Sequence, residues 1–441
     1  RGELLGSDRL AVAARELARG QAWTTARARI KTPLLARIDV AEGELAGVYR
    51  VLAADVRDDT PVSPAAEWLL DNYYLAEEQI TLVRDDLPLD YGAELPRLES
   101  GPFATYPRVF EAIVELVAHT DSRVDRESLE LFIMAYQDVS PLSIGEVWAV
   151  PIMLRIALIE NLRRLGRRVL EAHQAVVAGN RFADSIIVAA DEGPEAVAAR
   201  IAELDRAHVE MPAPFLVRLA QRLSGQEVAL VPLPAVLRTP PDQRGEDLAR
   251  VTQTTHQQQA ADQVSVANAI TSIRFMDGFE WREFFEDASL VEHILREDPS
   301  GVYPRMDFAS RDRYRHAIEG VARRCDLNEL EVAEAVISHC LDALRNDAAD
   351  GLRSHVGYHL VSGGRYTFEQ SIGYRPHARE RLYRGPLAAR GVIYWGALAL
   401  LTVLLAGGIA ALAYANTAAV WAAVSLGLLS VVPVSEVALT A

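Results

Sequence analysis

From Gly391 to Ala415 the chain carries no charged residue: GVIYWGALALLTVLLAGGIAALAYA. This run of about 25 residues is long enough, as an α-helix, to cross the hydrocarbon core of a bilayer. Tyr394 and Trp395 stand near its start and Tyr414 near its end, where amphipathic rings favour the interface. Asn416 and Thr417 mark a turn. A second apolar run of about 17 residues follows from Ala418, with Trp421 near its start and Glu436 beyond it. Two such runs back to back predict a transmembrane hairpin, with spans at about 391–415 and 418–435. The plainer alternative, a buried hairpin of a soluble domain, does not need two uncharged stretches of that length. Five arginines precede the first span (Arg375, Arg379, Arg381, Arg384 and Arg390), and the turn between the spans is uncharged. Positive flanks stay on the cytoplasmic side, so the preceding chain is expected in the cytoplasm and the hairpin in a bacterial inner membrane.

The chain has 441 residues and a net charge of -16. That field repels polyanions and excludes nucleic acid as the main partner. Lys31 is the only lysine, a bias of coding rather than of chemistry. Cys325 and Cys340 have no partner His or Cys at metal-ligand spacing and read as free thiols. The chain opens on Arg1 and closes on Ala441 inside an apolar run, so it reads as a fragment of a longer protein.

Helical spacing of apolar residues dominates ahead of the spans, and strand alternation is scarce. The expected class is therefore all-α: a multi-helical cytoplasmic domain followed by the hairpin. The expected organisation is amphipathic helices in 1–60, a helical domain at 61–224, a linker or long loop at 225–249 and a second helical unit at 250–390, before the hairpin at 391–441. Within it, 7–30 and 39–57 read as helices. Ser63-Pro64 opens a strong helix through Val83, with Ser63 as N-cap, Pro64 in the first turn and Glu67 near the positive helix end. Asp125 caps another helix. Ile144 to Val169 reads as one long helix, with Pro151 as a kink or a start and the basic tail Arg163, Arg164, Arg167, Arg168 suiting its C-terminus. His355 to Val361 reads as a short strand or turn.

Four groups carry the candidate chemistry. Glu67 and Asp71 lie one helical turn apart beside Trp68 and Tyr73. Aromatic faces and acids of this kind contact carbohydrate, and paired acids hydrolyse glycosides. The plainer reading has the rings in the core and the acids in solvent. Glu283, Glu286 and Asp287 beside Trp281 and Phe284 pose the same choice. Arg311, Asp312, Arg313, Arg315 and His316 read as an ion-paired helix face, or more sharply as a phosphate or headgroup contact. His355 and His359 have i, i+4 spacing, but Gly357 and the absence of a Glu between them argue against a metal pair. No phosphate-binding loop, dinucleotide fingerprint or nucleophile elbow occurs, so no catalytic, cofactor-binding or metal-ligating residue is assigned.

The strings PVSPAAEWLLDNYYLAEEQI (61–80), YPRVFEAIVELVAHTDSRVD (106–125), PLSIGEVWAVPIMLRIALIENLRRL (141–165), HQQQAADQVSVANAITSIR (256–274), DPSGVYPRMDFASRDRYRH (298–316) and HVGYHLVSGGR (355–365) resemble the N-terminal region of bacterial cyclic β-1,2-glucan synthases. The resemblance runs in order over most of 60–435 and is absent from 1–40 and 175–250. It implies a very large inner-membrane protein that builds β-1,2-glucan from UDP-glucose with a divalent metal. It also implies a glucosyltransferase domain that begins after the first membrane pair. No catalytic residue of the family falls on this chain. The resemblance thus implies a non-catalytic scaffold and anchor, with the bilayer, the downstream glucosyltransferase domain and the glucan itself as partners. Two other readings stand: a carbohydrate-binding or hydrolytic module around Glu67, Trp68 and Asp71, and a membrane-bound assembly or regulatory module unrelated to glucan.

Overall fold

In a computed structural model, the described residues are 3–25, 34–87, 95–206, 211–224, 244–346, 351–377, 390–417, 420–421, 424–426 and 428–431. They are almost all helical, as the periodicity requires. The helices are α1 (Ser7–Gly20), α2 (Leu34–Arg57), α3 (Pro64–Asp71), α4 (Tyr73–Asp86), α5 (Arg108–His119), α6 (Arg126–Gln137), α7 (Ile144–Glu192), α8 (Pro194–Arg206), α9 (Ala213–Leu223), α10 (Arg244–Asp277), α11 (Trp281–Ala288) and α12 (Leu290–Leu295). They continue with α13 (Phe308–Ala322), α14 (Glu329–Asn346), α15 (Val356–Val361), α16 (Arg365–Ser371) and α17 (Arg390–Thr417). Two short antiparallel strands, β1 (Trp23–Thr24) and β2 (Arg97–Leu98), pair Trp23 with Leu98 and Thr24 with Arg97. The chain divides into two compact units, Arg1–Met306 and Asp307–Ala441. Of the loop expected at 225–249, residues 225–243 lie outside the described residues.

The first unit is organised by α7. At about 1.5 Å per residue, its 49 residues extend for roughly 73 Å. Helices α2, α5, α9 and α10 pack along it. Its start was legible: Ser143 and Glu146 form a capping box, each side chain bonded to the other's backbone N–H. Its end was not. The expected stop near Val169 is an internal position, and Pro151 sits inside the helix two turns from its cap. The helix stops only at Gly193, whose φ of +117° suits a residue without Cβ. The basic run Arg163–Arg168 is therefore not a C-terminus. Arg163 pairs with Glu44 and Glu160, Arg167 with Glu171 and Arg168 with Asp262.

The far half of α7 keeps its own apolar core with α8 and α9, built from Ala183, Ile186, Val197, Phe215 and Leu219. Gly179 permits that crossing, because a Cβ there would lie 2.9 Å from the Phe215 carbonyl oxygen. Two other helices differ from expectation. The one read at 7–30 ends at Gly20 and gives way to β1. The one from Ser63 breaks at Asn72, whose φ/ψ of -118°/12° separate α3 from α4.

In the second unit α13, α14, α15 and α16 pack together. The segment read as strand or turn is helix α15. Gly357 had argued against a helix, but it answers to packing: a Cβ there would collide with the Tyr314 hydroxyl.

Candidate functional site

The α3 face begins with its cap. Ser63 Oγ accepts from the Ala66 N–H at 3.3 Å, Pro64 fills the first position and Glu67 lies in the first turn. Leu69 and Ala66 then point inward, which leaves Glu67 and Asp71 exposed and Trp68 37% exposed. Asn72 fixes the break. Its amide donates to the Trp68 carbonyl at 2.8 Å, and its oxygen accepts from Arg274.

Past that break Tyr73 leaves the group. Its ring stacks on Tyr49 of α2 with centroids 4.4 Å apart. Burial, then the charges of Glu77 and Glu42, push its hydroxyl above the usual range. The structure therefore keeps Glu67, Trp68 and Asp71 together on one surface and turns Tyr73 toward α2. An indole flanked by two acceptors can stack on and hydrogen-bond a polyol. Both acids stand open to solvent, without the dry enclosure that glycosidic acid catalysis uses.

The acids around Trp281 are engaged in ion pairs. Arg126 of α6 reaches Glu283 and Asp287, each at 3.2 Å, and Glu130 at 2.6 Å. Arg296 reaches Glu286 at 3.1 Å and Glu292 at 3.0 Å. Trp281 donates to the Met276 carbonyl at 3.2 Å.

The densest polar constellation in the first unit escaped the sequence reading. Arg108, 1% exposed, meets the fully buried Glu146 in a two-pronged pair at 2.7 and 2.9 Å. The same guanidinium donates to Ser140 Oγ at 2.6 Å and to the Pro141 carbonyl at 2.7 Å. It lies 4.2 Å from the centroid of Trp23, so the short β1 strand covers it. Burial opposes the charge on Arg108, but Glu146 overcomes it and holds the guanidinium above its ordinary range. Beside it Tyr136 donates to Gln21, and burial pushes its hydroxyl up to about 12. Glu146 closes the capping box with Ser143. That Glu146 also neutralises Arg108 depends on the α5–α7 crossing.

In the second unit one of the α13 charges is internal, while Arg313 and His316 are exposed. Arg315 is fully buried, 3.2 Å from Asp312 and 4.7 Å from the centroid of Phe308. His316 also meets Asp312, at 3.3 Å. His355, the N-cap of α15, and His359 within that helix part company. His355 lies 3.3 Å from the Tyr314 hydroxyl, and His359 Nε2 lies 2.9 Å from the Arg353 carbonyl. Among the described residues, no three His, Cys, Asp or Glu side chains are placed to hold a metal.

Helix α17 is the apolar element. Trp395–Asn416 has mean hydropathy 2.2, and 6% of its most apolar stretch is buried. It is long and apolar enough to cross a membrane. Its polar side chains bond within the helix: Thr402 to the Leu398 carbonyl and Asn416 to the Leu412 carbonyl, each at 2.8 Å. The expected hairpin is matched in part, by this one helix; the described residues among 420–431 are helical, and most of their apolar side chains, Trp421, Leu428 and Leu429 among them, are exposed. Residues 432–441 lie outside the described residues.

No family model matches the chain. The chain is 34% identical over 366 residues, 82% of its length, to the cyclic β-(1,2)-glucan synthase NdvB of Rhizobium meliloti (strain 1021). That stretch spans 13% of the relative, so the chain corresponds to one region of a far longer protein. The resemblance read from the sequence strings is thereby borne out.

Proposed function

We infer, from this kinship with one region of a cyclic β-(1,2)-glucan synthase, that the chain is the helical scaffold and membrane anchor of such an enzyme. The single observation that carries the reading is the 34% identity across 82% of the chain. Two features support the non-catalytic part. The acid clusters around Trp281 are tied up in ion pairs with Arg126 and Arg296. The acids of α3 stand in solvent.

In the full-length protein, glucose would pass from UDP-glucose to β-1,2-glucan at a downstream glucosyltransferase domain carrying a divalent metal. The first unit would pack against that domain, with Glu67, Trp68 and Asp71 facing the glucan. Helix α17 and the apolar run after it would anchor the chain in the inner membrane, and the arginine flank would hold the helical units in the cytoplasm.

The fragment of residues 1–441, reconstituted with UDP-glucose and Mg²⁺ or Mn²⁺, is expected to make no glucan; glucan from the fragment alone overturns the scaffold reading. Cys325 is partly accessible, so an impermeant thiol reagent is expected to label it in inside-out vesicles. Labelling only from the periplasmic side overturns the orientation. Calorimetry with β-1,2-gluco-oligosaccharides tests the α3 face: heat that survives Trp68→Ala in folded protein removes that contact.

A further inference from the structure

The second unit gathers two histidines around one phenylalanine. Phe368 of α16 has its ring centroid 5.3 Å from that of His339 on α14 and 6.5 Å from that of His359 on α15. The two imidazoles stand 5.8 Å apart, edge to face. Each is oriented by a carbonyl, His339 Nδ1 by that of Ala335 at 3.0 Å and His359 Nε2 by that of Arg353 at 2.9 Å. A carbonyl only accepts, so those nitrogens carry the hydrogen and both neutral tautomers are set.

The remaining nitrogens differ. His339 Nε2 lies 3.0 Å from the hydroxyl of Ser371, which also lies 2.7 Å from the Phe368 carbonyl. With His339 neutral, the hydroxyl donates to it. With His339 protonated, Nε2–H donates to Ser371 Oγ and the hydroxyl turns to the Phe368 carbonyl. Every group stays paired in both states. His359 is 8% exposed, and the ring of Tyr358 stands edge to face against it with centroids 5.2 Å apart.

We propose that His339, Ser371 and His359 form a proton-sensitive clasp that opens the α14–α16 packing when a proton reaches the buried His359. Burial first, and then the charge of His339, hold His359 below the ordinary histidine range, against the opposing pull of the Arg353 carbonyl. Other titratable groups of the packed elements have partners of their own. On α13, Tyr314 meets His355. On α14, Cys340 is buried beside His339 in sequence. On α16, the buried Glu369 is bonded to Arg365 at 2.7 Å. A group harder to protonate when folded than when unfolded gives stability above its unfolded pKa. That stability is lost as pH falls through and below about 6.5.

Hydrogen exchange in the full chain, in detergent or nanodiscs, tests the clasp. After correction for intrinsic rates, amides of 356–371 are expected to exchange several-fold faster at pH 5 than at pH 7.5, while α13 changes little. His359→Gln is expected to flatten that rise. Equal rates at the two pH values, or an undiminished rise in His359→Gln, overturn the proposal. Should that variant fail to fold, NMR titration of histidine-labelled wild type decides. His359 titrating below the ordinary histidine range supports the clasp; an ordinary titration of His359 overturns it.

Discussion

Replacing Arg108 by leucine is expected to cost the first unit about 3–5 kcal/mol, the range for breaking a buried ion pair from one side. The substitution removes both bonds to Glu146, at 2.7 and 2.9 Å, and those to Ser140 and the Pro141 carbonyl. It leaves a carboxylate with no solvent exposure whose remaining partner is the Ser143 cap, 2.9 Å away at its backbone N–H. The loss is a large part of a total stability of about 5–15 kcal/mol. It should appear as a lowered midpoint and an unchanged slope in denaturant unfolding, followed by Trp fluorescence.

The cost should shrink on acidification. Without the guanidinium, a neutral Glu146 carboxyl is less costly to bury than a charged one. The double variant Arg108→Leu, Glu146→Leu should recover most of the loss, because apolar groups of similar volume replace buried pairs at little cost. A single-variant loss under about 1 kcal/mol, or a double variant no more stable than the single, refutes the reasoning. Either result would mean that solvent reaches Glu146 or that Trp23 does not seal the pair.

Tyr136, raised to about 12 by burial, is expected to stay unionised in ultraviolet titration until the fold gives way. Unfolded tyrosine ionises near 10, so this contribution is full below about pH 10 and lost as pH climbs toward 12. Gly364→Ala would drive a methyl into the Tyr358 ring and within 3.1 Å of His359 Nδ1. Thermal unfolding of the second unit should register a loss of about 1–3 kcal/mol. Ser63→Ala removes the acceptor of the Ala66 N–H and should cost about 0.5–2 kcal/mol in equilibrium unfolding, with little change beyond α3 and α4.

Local chemistry was legible where it acts alone. Ser63-Pro64 and Asp125 name helix starts, because a cap satisfies backbone N–H groups within its own turn. Long-range fates were not. Tyr73 was grouped with Trp68 by sequence distance, but a break at Asn72, held by Arg274 from α10, sends it to Tyr49. Gly357 argued against a helix on propensity, yet α15 forms, and the Tyr314 side chain occupies the space a Cβ at that position would need.

The amino-acid order alone settled that this chain is helical and that it contains an uncharged helix long enough for a bilayer. Helical bonds close within four residues, and hydrophobic length is counted along one strand of chain. Tertiary contact decided which charges are buried and paired. Arg108 finds Glu146, Arg126 finds Glu283, and His339 finds His359 across 20 to 157 positions. Burial and neutralisation arise only when distant segments exclude water together.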